Sequence, residues 1–280
     1  MVEIHINCPI CSKKRILQIS ENAVKENPKG ILTVNIINDS ICPHNLVVYF
    51  DMNLNVRDIF TTDFTVQIPE MPKNDIEELD FKKIEAFNTD LIKINLYPIS
   101  LIYILKSCFY NKKVLILNEL EFLKPFLESF FDLIFGESFT YFVLINSTNE
   151  YNFDKKNFKD FIIIDGKNIV RDKQKILNLK KNKIEKLIIQ KFFTEYDSKT
   201  SLIILRNEIR KAFNFSKSII EIVQNLEQKE KININIIIGK LQQVYKVNVS
   251  RYYLDFLIEI IENYFKVKVP IIYENILSFV

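Results

Sequence analysis

Glycine is almost missing from this chain: four residues in 280, beside eight prolines and no tryptophan. So few glycines argue against folds that cradle phosphate in glycine-rich loops, and neither GxGxxG nor a Walker A pattern occurs. Loops are expected to be few or short. Histidine is scarcer still, with two residues. There is no HExxH and no nucleophile elbow, so a Ser-His or Cys-His catalytic pair is not expected. No apolar run reaches the roughly 18 residues of a membrane span. The opening stretch MVEIHINCPIC lacks a basic start followed by an apolar core, so no export signal is expected. The cysteines are then expected in a reducing cytoplasm, where disulfides are the weaker reading.

What is present is core material. Hydrophobic residues make up 48% and aromatics 12%, which is not a disordered composition. The formal net charge of +3 is too small to imply nucleic acid by itself. Lysine, asparagine, isoleucine and phenylalanine dominate, as an AT-rich coding bias produces, and we expect an archaeal source.

Residues 1–70 read as a small β module. KRILQI (14–19), ILTVNII (31–37), LVVYF (46–50) and FTVQI (64–68) are short and rich in β-branched or aromatic residues. Asp51-Met52-Asn53 between two extended runs predicts a tight hairpin. The stretch 68–80, with two prolines and a cluster of acids, reads as a boundary. Residues 71–172 then read as a small parallel α/β domain. Pro98 suits the first turn of a helix over 97–110, KKVLILN (112–118) a buried strand, and 119–135 a helix. TYFVLI (140–145) and FIIID (161–165) add strands whose continuous apolarity suits a sheet covered on both faces. From about 172 onward the spacing is helical, and Pro270 stops the last helix. Segments 171–193, 201–213, 216–228, 234–247 and 250–265 are read as helices, with Ser216 and Ser250 as N-caps. The expected fold class is therefore α+β to α/β and multidomain: a zinc-ribbon-like β module, a parallel α/β domain, and a helical region over 173–280.

Chemistry concentrates at one end. Of four cysteines and two histidines, five lie in the first 44 residues: His5, Cys8, Cys11, Cys42 and His44. Cys8-Pro9-Ile10-Cys11 is a CxxC turn, which lets two thiolates reach one ion. Thirty residues on, Cys42-Pro43-His44 offers a second knuckle. A Cys3His zinc site follows: Cys8, Cys11, Cys42 and His44, with His5 a competing ligand on a preceding strand. With four protein ligands such a zinc is structural and not catalytic. Two other readings stand beside it. One is a metal-free ribbon whose cysteines are packed. The other is a redox CxxC, which lacks the helix start that would lower a thiol pKa. Cys108, on the apolar face of a predicted helix, reads as a small buried hydrophobe.

The other candidates have bland readings. The strand ends Asn118-Glu119, Asn146-Ser147 and Asp165-Gly166 carry no phosphate motif, and Asp165-Gly166 reads as a turn. Glu119 and Glu121 suit a first helical turn. The lysines of 173–191 read as a solvated face. A basic patch joining them to Lys13, Lys14 and Arg15 is what a nucleic-acid-binding alternative requires.

Residues 101–145, with an apolar helix, a short basic link, the strand VLIL and a long helix carrying Leu120, Leu123, Pro125, Glu128 and Ser129, resemble the central module of DENN-type domains. Residues 161–170 resemble the strand and turn that close that family's central sheet. The resemblance covers about 70 residues, and this chain lacks the family's proline-rich strand after the long helix. It implies a non-enzymatic regulator or scaffold for a small GTPase, at most a nucleotide-exchange factor, acting by surface contact without a single catalytic side chain.

Overall fold

The computed structural model describes residues 1–20, 22–23, 30–37, 40–62, 68–69, 87–178, 181–225 and 232–272. The chain is a mixed α/β protein with a Cys/His cluster near its N-terminus. The strand expected over 64–68 and the boundary over 68–80 fall almost wholly outside the described residues.

Strands β1 (Val2–Asn7) and β2 (Lys14–Ile19) form an antiparallel hairpin. Strands β3 (Ile31–Ile36), β4 (Asn45–Asp51) and β5 (Val56–Thr62) form a meander with β4 in the middle. The Asp51 hairpin is present. Its carboxylate accepts the backbone N–H groups of Asn53 and Asn55, both at 2.8 Å, and Leu54 takes a positive φ of 62°. Strand β4 reads LVVYF because both its faces are covered. Leu46, Val48 and Phe50 join Ile6, Ile19 and Ile36 in a small core that also takes in Cys8 and Cys42. Val47 and Tyr49 point the other way, into the main core, where Tyr49 meets the rings of Phe60 and Phe193 edge-on at 5.6 Å each.

A short helix, α1 (Thr89–Asn95), leads into α2 (Pro98–Phe109) at 103°. Pro98 occupies the first turn, as expected, and all of α2 except Ile99 is buried. A helix that is apolar all round belongs inside a protein; among the described residues no single helix is long and apolar enough to cross a membrane. Burial leaves polar groups of the helix needing partners from elsewhere. Asp58 of β5 accepts the Ile99 N–H at 3.0 Å. At the other end, Lys106 lies 3.1 Å from Glu185 and 2.7 Å from Glu259.

The parallel sheet is as read, with one antiparallel edge. Strands β6 (Lys113–Leu117), β7 (Phe142–Asn146), β8 (Ile162–Asp165) and β9 (Asn168–Arg171) lie in the order β7-β6-β8-β9. Helix α3 (Lys124–Phe135), entered through a 3-10 turn at Glu121–Leu123, packs on one face with Val114, Ile116 and Ile164. Helix α4 (Thr148–Phe153) closes the other through Tyr151, against Leu115, Leu117 and Ile163.

Helices α5 (Lys183–Thr194), α6 (Ser198–Asn225), α7 (Ile234–Tyr245) and α8 (Arg251–Ile260) complete the main core, together with the two-residue parallel pair β10 (Ile232–Asn233) and β11 (Ile271–Ile272). Ser250 caps α8, accepting the Tyr253 N–H. Two expectations fail. The segment 171–182 is not helical: β9 ends at Arg171, Asp172 accepts the Leu177 N–H at 2.8 Å, and Lys175 turns the chain at φ 51°. Ser216 is no N-cap; it lies fully buried inside one continuous 28-residue helix, α6.

Burial drives the Asp58 carboxyl up to about 6, against the Ile99 N–H, Lys167 and Arg57 that favour its charge. The folded state therefore holds this proton where the unfolded chain has released it, and its contribution to stability is lost as pH rises from about 4 through 6. Asp58→Asn keeps an acceptor for Ile99 and removes the titration. Denaturant melts from pH 4 to 7 should show the wild type losing ground to the variant as pH rises. A gap that stays constant or reverses would contradict the assignment.

Candidate metal centre

The first knuckle follows β1 directly. The Cys8 N–H donates to the Lys13 carbonyl at 3.0 Å, and the Ser12 N–H to the Cys8 carbonyl at 2.9 Å. Ser12 closes the turn at φ 57°. The second knuckle is the loop between β3 and β4, and β4 begins one residue after His44. The two meet because Ile6 and Cys8 share a core with Cys42, Leu46 and Val48. Arg15, at the start of β2, ties them on the outside by donating its guanidinium to the Ser40 carbonyl. No sequence signal marks this bridging role of Arg15.

The four expected ligands come together. One ligand atom from each of Cys8, Cys11, Cys42 and His44 lies within 4.8 Å of all the others. His44 Nδ1 stands 3.7 Å from Cys8 Sγ and 3.5 Å from Cys42 Sγ. A tetrahedral ion bonded to sulfur at about 2.3 Å and to nitrogen at about 2.0 Å has sulfur–nitrogen edges of about 3.6 Å. The two sulfur–nitrogen distances from His44 match such an edge, and the four residues could hold a metal ion. Cys8 and Cys42 are buried, and Cys11 and His44 lie toward the surface. All four cysteines of the chain are free thiols.

The electrostatics separate the two buried thiols. Burial pushes Cys42 up to about 11, reinforced by the neighbouring Cys8 and Cys11 sulfurs. Burial also acts on Cys8, but the backbone N–H groups of Cys11 and Ile10 and the Cys42 and Cys11 thiols outweigh it and hold Cys8 below its ordinary value. A divalent ion among them would take the place of the proton on Cys42 and hold the sulfurs as thiolates. No helix begins after Cys11, since Lys14 already opens β2.

His5 lies apart from the cluster. It is exposed on β1, opposite Ile16, so the competition for the fourth ligand falls to His44. Cys108 is buried in α2, where burial alone raises its thiol far above the ordinary value.

The carboxyl edge of the four-stranded sheet is the usual ligand site of an open α/β fold. Here its polar groups hold the chain itself. Asn118 accepts the Leu120 N–H at 2.7 Å, and Glu119 reaches across to the Thr148 N–H at 2.9 Å. Thr148 thereby holds the exposed Glu119 carboxyl below its ordinary value. Glu119 thus serves the start of α4 and not its own helix, as its position in sequence suggests. Ser147 and Glu150 form a reciprocal capping box. Gly166 makes the β8–β9 turn at φ 51°, and its carbonyl accepts the Ser100 hydroxyl.

No family model, no curated protein and no solved structure matches this chain.

Cobalt(II) titrated into the metal-free chain should give the intense bands of a tetrahedral thiolate site at one equivalent. Cys42→Ser should abolish them and His5→Ala leave them unchanged. Loss of the bands in His5→Ala would assign the fourth ligand wrongly.

Proposed function

We propose that this protein is a non-enzymatic interaction protein, stapled by a structural zinc, that docks a small GTPase in the manner of the DENN-type regulators that residues 101–145 resemble. The observation that supports it most is at the carboxyl edge of the sheet. The polar groups there are engaged in caps and turns, while large apolar side chains beside them face solvent. Leu120 is 47% exposed, Phe122 60% and Phe126 40%, all on the turn and first helical residues that follow β6. An edge of that kind suits a protein surface better than a polar small substrate.

Zinc is the ion this donor set fits. Three thiols and one imidazole within 4.8 Å of one another suit a structural zinc, whose shell such a set would fill with no position left for water. Thiolates of this kind suit the reducing cytoplasm. The staple closes a module too small to hold itself together by its own core. The regulator would work by binding one nucleotide state of its partner better than the other, which shifts the equilibrium between them.

The nucleic-acid reading has less support. Lys191 is paired with Glu208 at 3.0 Å, Lys183 lies 5.3 Å over the Tyr252 ring, and Arg15 is held by Ser40. These groups are engaged within the protein and do not form one free basic stripe.

Small GTPases of the same genome, prepared nucleotide-free and GDP-bound, should be captured by the full chain and release nucleotide faster in its presence. Phe122→Asp with Phe126→Asp should abolish both effects while leaving the melting temperature unchanged. Failure of every GTPase to bind, or capture that survives the double substitution, would defeat this reading.

A further inference from the structure

Strand β3 lies at an edge. Among the described residues it pairs with β4 alone, while β4 also pairs with β5. The direction of its backbone groups follows from the hairpin beyond β4. The Asp51 N–H donates to the Asn55 carbonyl, and the Asp51 carbonyl accepts the Leu54 N–H, both at 3.0 Å, so Asp51 is turned to the β5 side. Backbone groups alternate sides along a strand, so Phe50, Val48 and Leu46 are turned to β3. Their partners Leu32, Val34 and Ile36 are turned back to β4. The N–H and C=O groups of Thr33 and Asn35 therefore point outward. Thr33 is half-buried and Asn35 exposed, so both can be reached from solvent.

Edge strands usually carry protection against further pairing: a charge, a proline or a bulge. The other edge of this sheet, β5, is protected. Its pairing with β4 shifts register at Arg57, and Asp58 is tied to α2. β3 has no such device. From Gly30 to Ile37 the chain carries no charge and no proline, and β3 meets β4 without a register shift. Beside this edge lies a pocket of about 120 Å³, lined by Ile31, Thr33, Phe193 and Tyr196 among others. Its one ammonium, Lys93, is buried and donates to the Glu195 carbonyl at 3.1 Å. Small-molecule sites begin at roughly 300 Å³; a space of this size suits one aliphatic side chain. At the far end of the strand Ile37 is 68% exposed. It is in step with Ile31, Thr33 and Asn35, which alternate onto the face where Asn35 meets Gln190 of α5.

We propose that two copies of this chain join by antiparallel pairing of β3 with β3, about a two-fold axis at Val34. Thr33 of each copy then stands opposite Asn35 of the other, and each such pair exchanges both of its outward hydrogen bonds. Ile31 stands opposite Ile37 of the second copy, on the face that holds the pocket. Each exposed Ile37 thereby enters the pocket of the other copy. On the opposite face Leu32 meets Ile36 and Val34 meets its own counterpart, which covers Leu32 and Val34, half-buried in one copy. The occupant is a second copy because one strand carries both the pocket and the side chain that fits it, at the spacing a two-fold axis requires. The charge-free edge meets its own copy without repulsion, and it offers a charged peptide no counter-charge. The joined sheet ends in the two β5 edges, both protected. This contact uses neither the cysteine cluster nor Phe122 and Phe126, so it stands whether or not a GTPase binds.

Sedimentation equilibrium of the full chain, with zinc present and over a concentration series, tests this directly. A monomer–dimer equilibrium is expected. Ile37→Asp should weaken dimerisation by about tenfold or more. Asn35→Pro should weaken it as well, because it removes an outward N–H that pairing with β4 does not use. Both residues are exposed, so an unchanged circular dichroism spectrum will show that each variant is folded. Phe122→Asp should leave the dimer intact. Hydrogen exchange reads the register: the Thr33 and Asn35 amides should slow as concentration rises, while exchange along β5 stays the same. The proposal is overturned if the chain is monomeric throughout, or if the dimer survives both Ile37→Asp and Asn35→Pro. Assembly beyond the dimer, or Thr33 and Asn35 amides that do not slow, also overturns it.

Discussion

Strand β4 is covered on both faces, and that double burial joins the cysteine-bearing end of the chain to everything else. Its side chains alternate between two cores: Leu46, Val48 and Phe50 under the cysteine cluster, Val47 and Tyr49 against β5 and α5. Each buried apolar side chain of this size contributes roughly 1.5–3 kcal/mol. Had the Leu46, Val48 and Phe50 face been polar, the N-terminal hairpin would have had nothing to pack on. Strand β6 repeats the device: Val114 and Ile116 face α3 and the main core, Leu115 and Leu117 face α4. Two short strands thus connect three apolar clusters.

Burying so much also sets the polar chemistry. Helix α2 lies in the middle, so its buried polar groups need partners brought from far along the chain: Asp58 from β5 for the Ile99 N–H, Glu185 and Glu259 from α5 and α8 for the Lys106 ammonium. A buried ion pair of this kind adds little net stability over apolar packing, but losing one partner strands the other. It ties α2 to α5 and α8. The same economy governs the carboxyl edge of the sheet, where Asn118, Glu119, Ser147 and Glu150 are engaged by the backbone. Beside them the side chains of Leu120, Phe122 and Phe126 face solvent.

Much of this is legible from residue order because rare residues carry it. Cysteine and histidine are scarce here, so five of six within 44 residues mark a site, and the two-knuckle spacing names its members. The parallel strands show as unbroken apolar runs, since nothing along them needs to face water. LVVYF is a run of the same kind, and its uniform apolarity carries the signal of two-sided burial. What escaped was decided by distant partners. The lysine-rich stretch after Arg171 has helical spacing, but an Asp172 turn and a left-handed Lys175 override it. Ser216 looks like a cap, yet it sits in the buried interior of an uninterrupted helix, where only packing against other helices determines its role. Arg15, Asp58 and Glu119 act across gaps of 25, 41 and 29 residues, which no local pattern reports.

An ion held by Cys8, Cys11, Cys42 and His44 would organise the N-terminal hairpin and its small core, while the scaffold around α2 and β6 stands on its own packing. Hydrogen exchange, followed residue by residue before and after the metal is stripped by a chelator, separates these two contributions. Protection should collapse in β1, β2 and the loop through His44, fall partway in β4, and persist in α2 and β6. Protection lost throughout α2 and β6, or retained unchanged in the hairpin, would contradict the account.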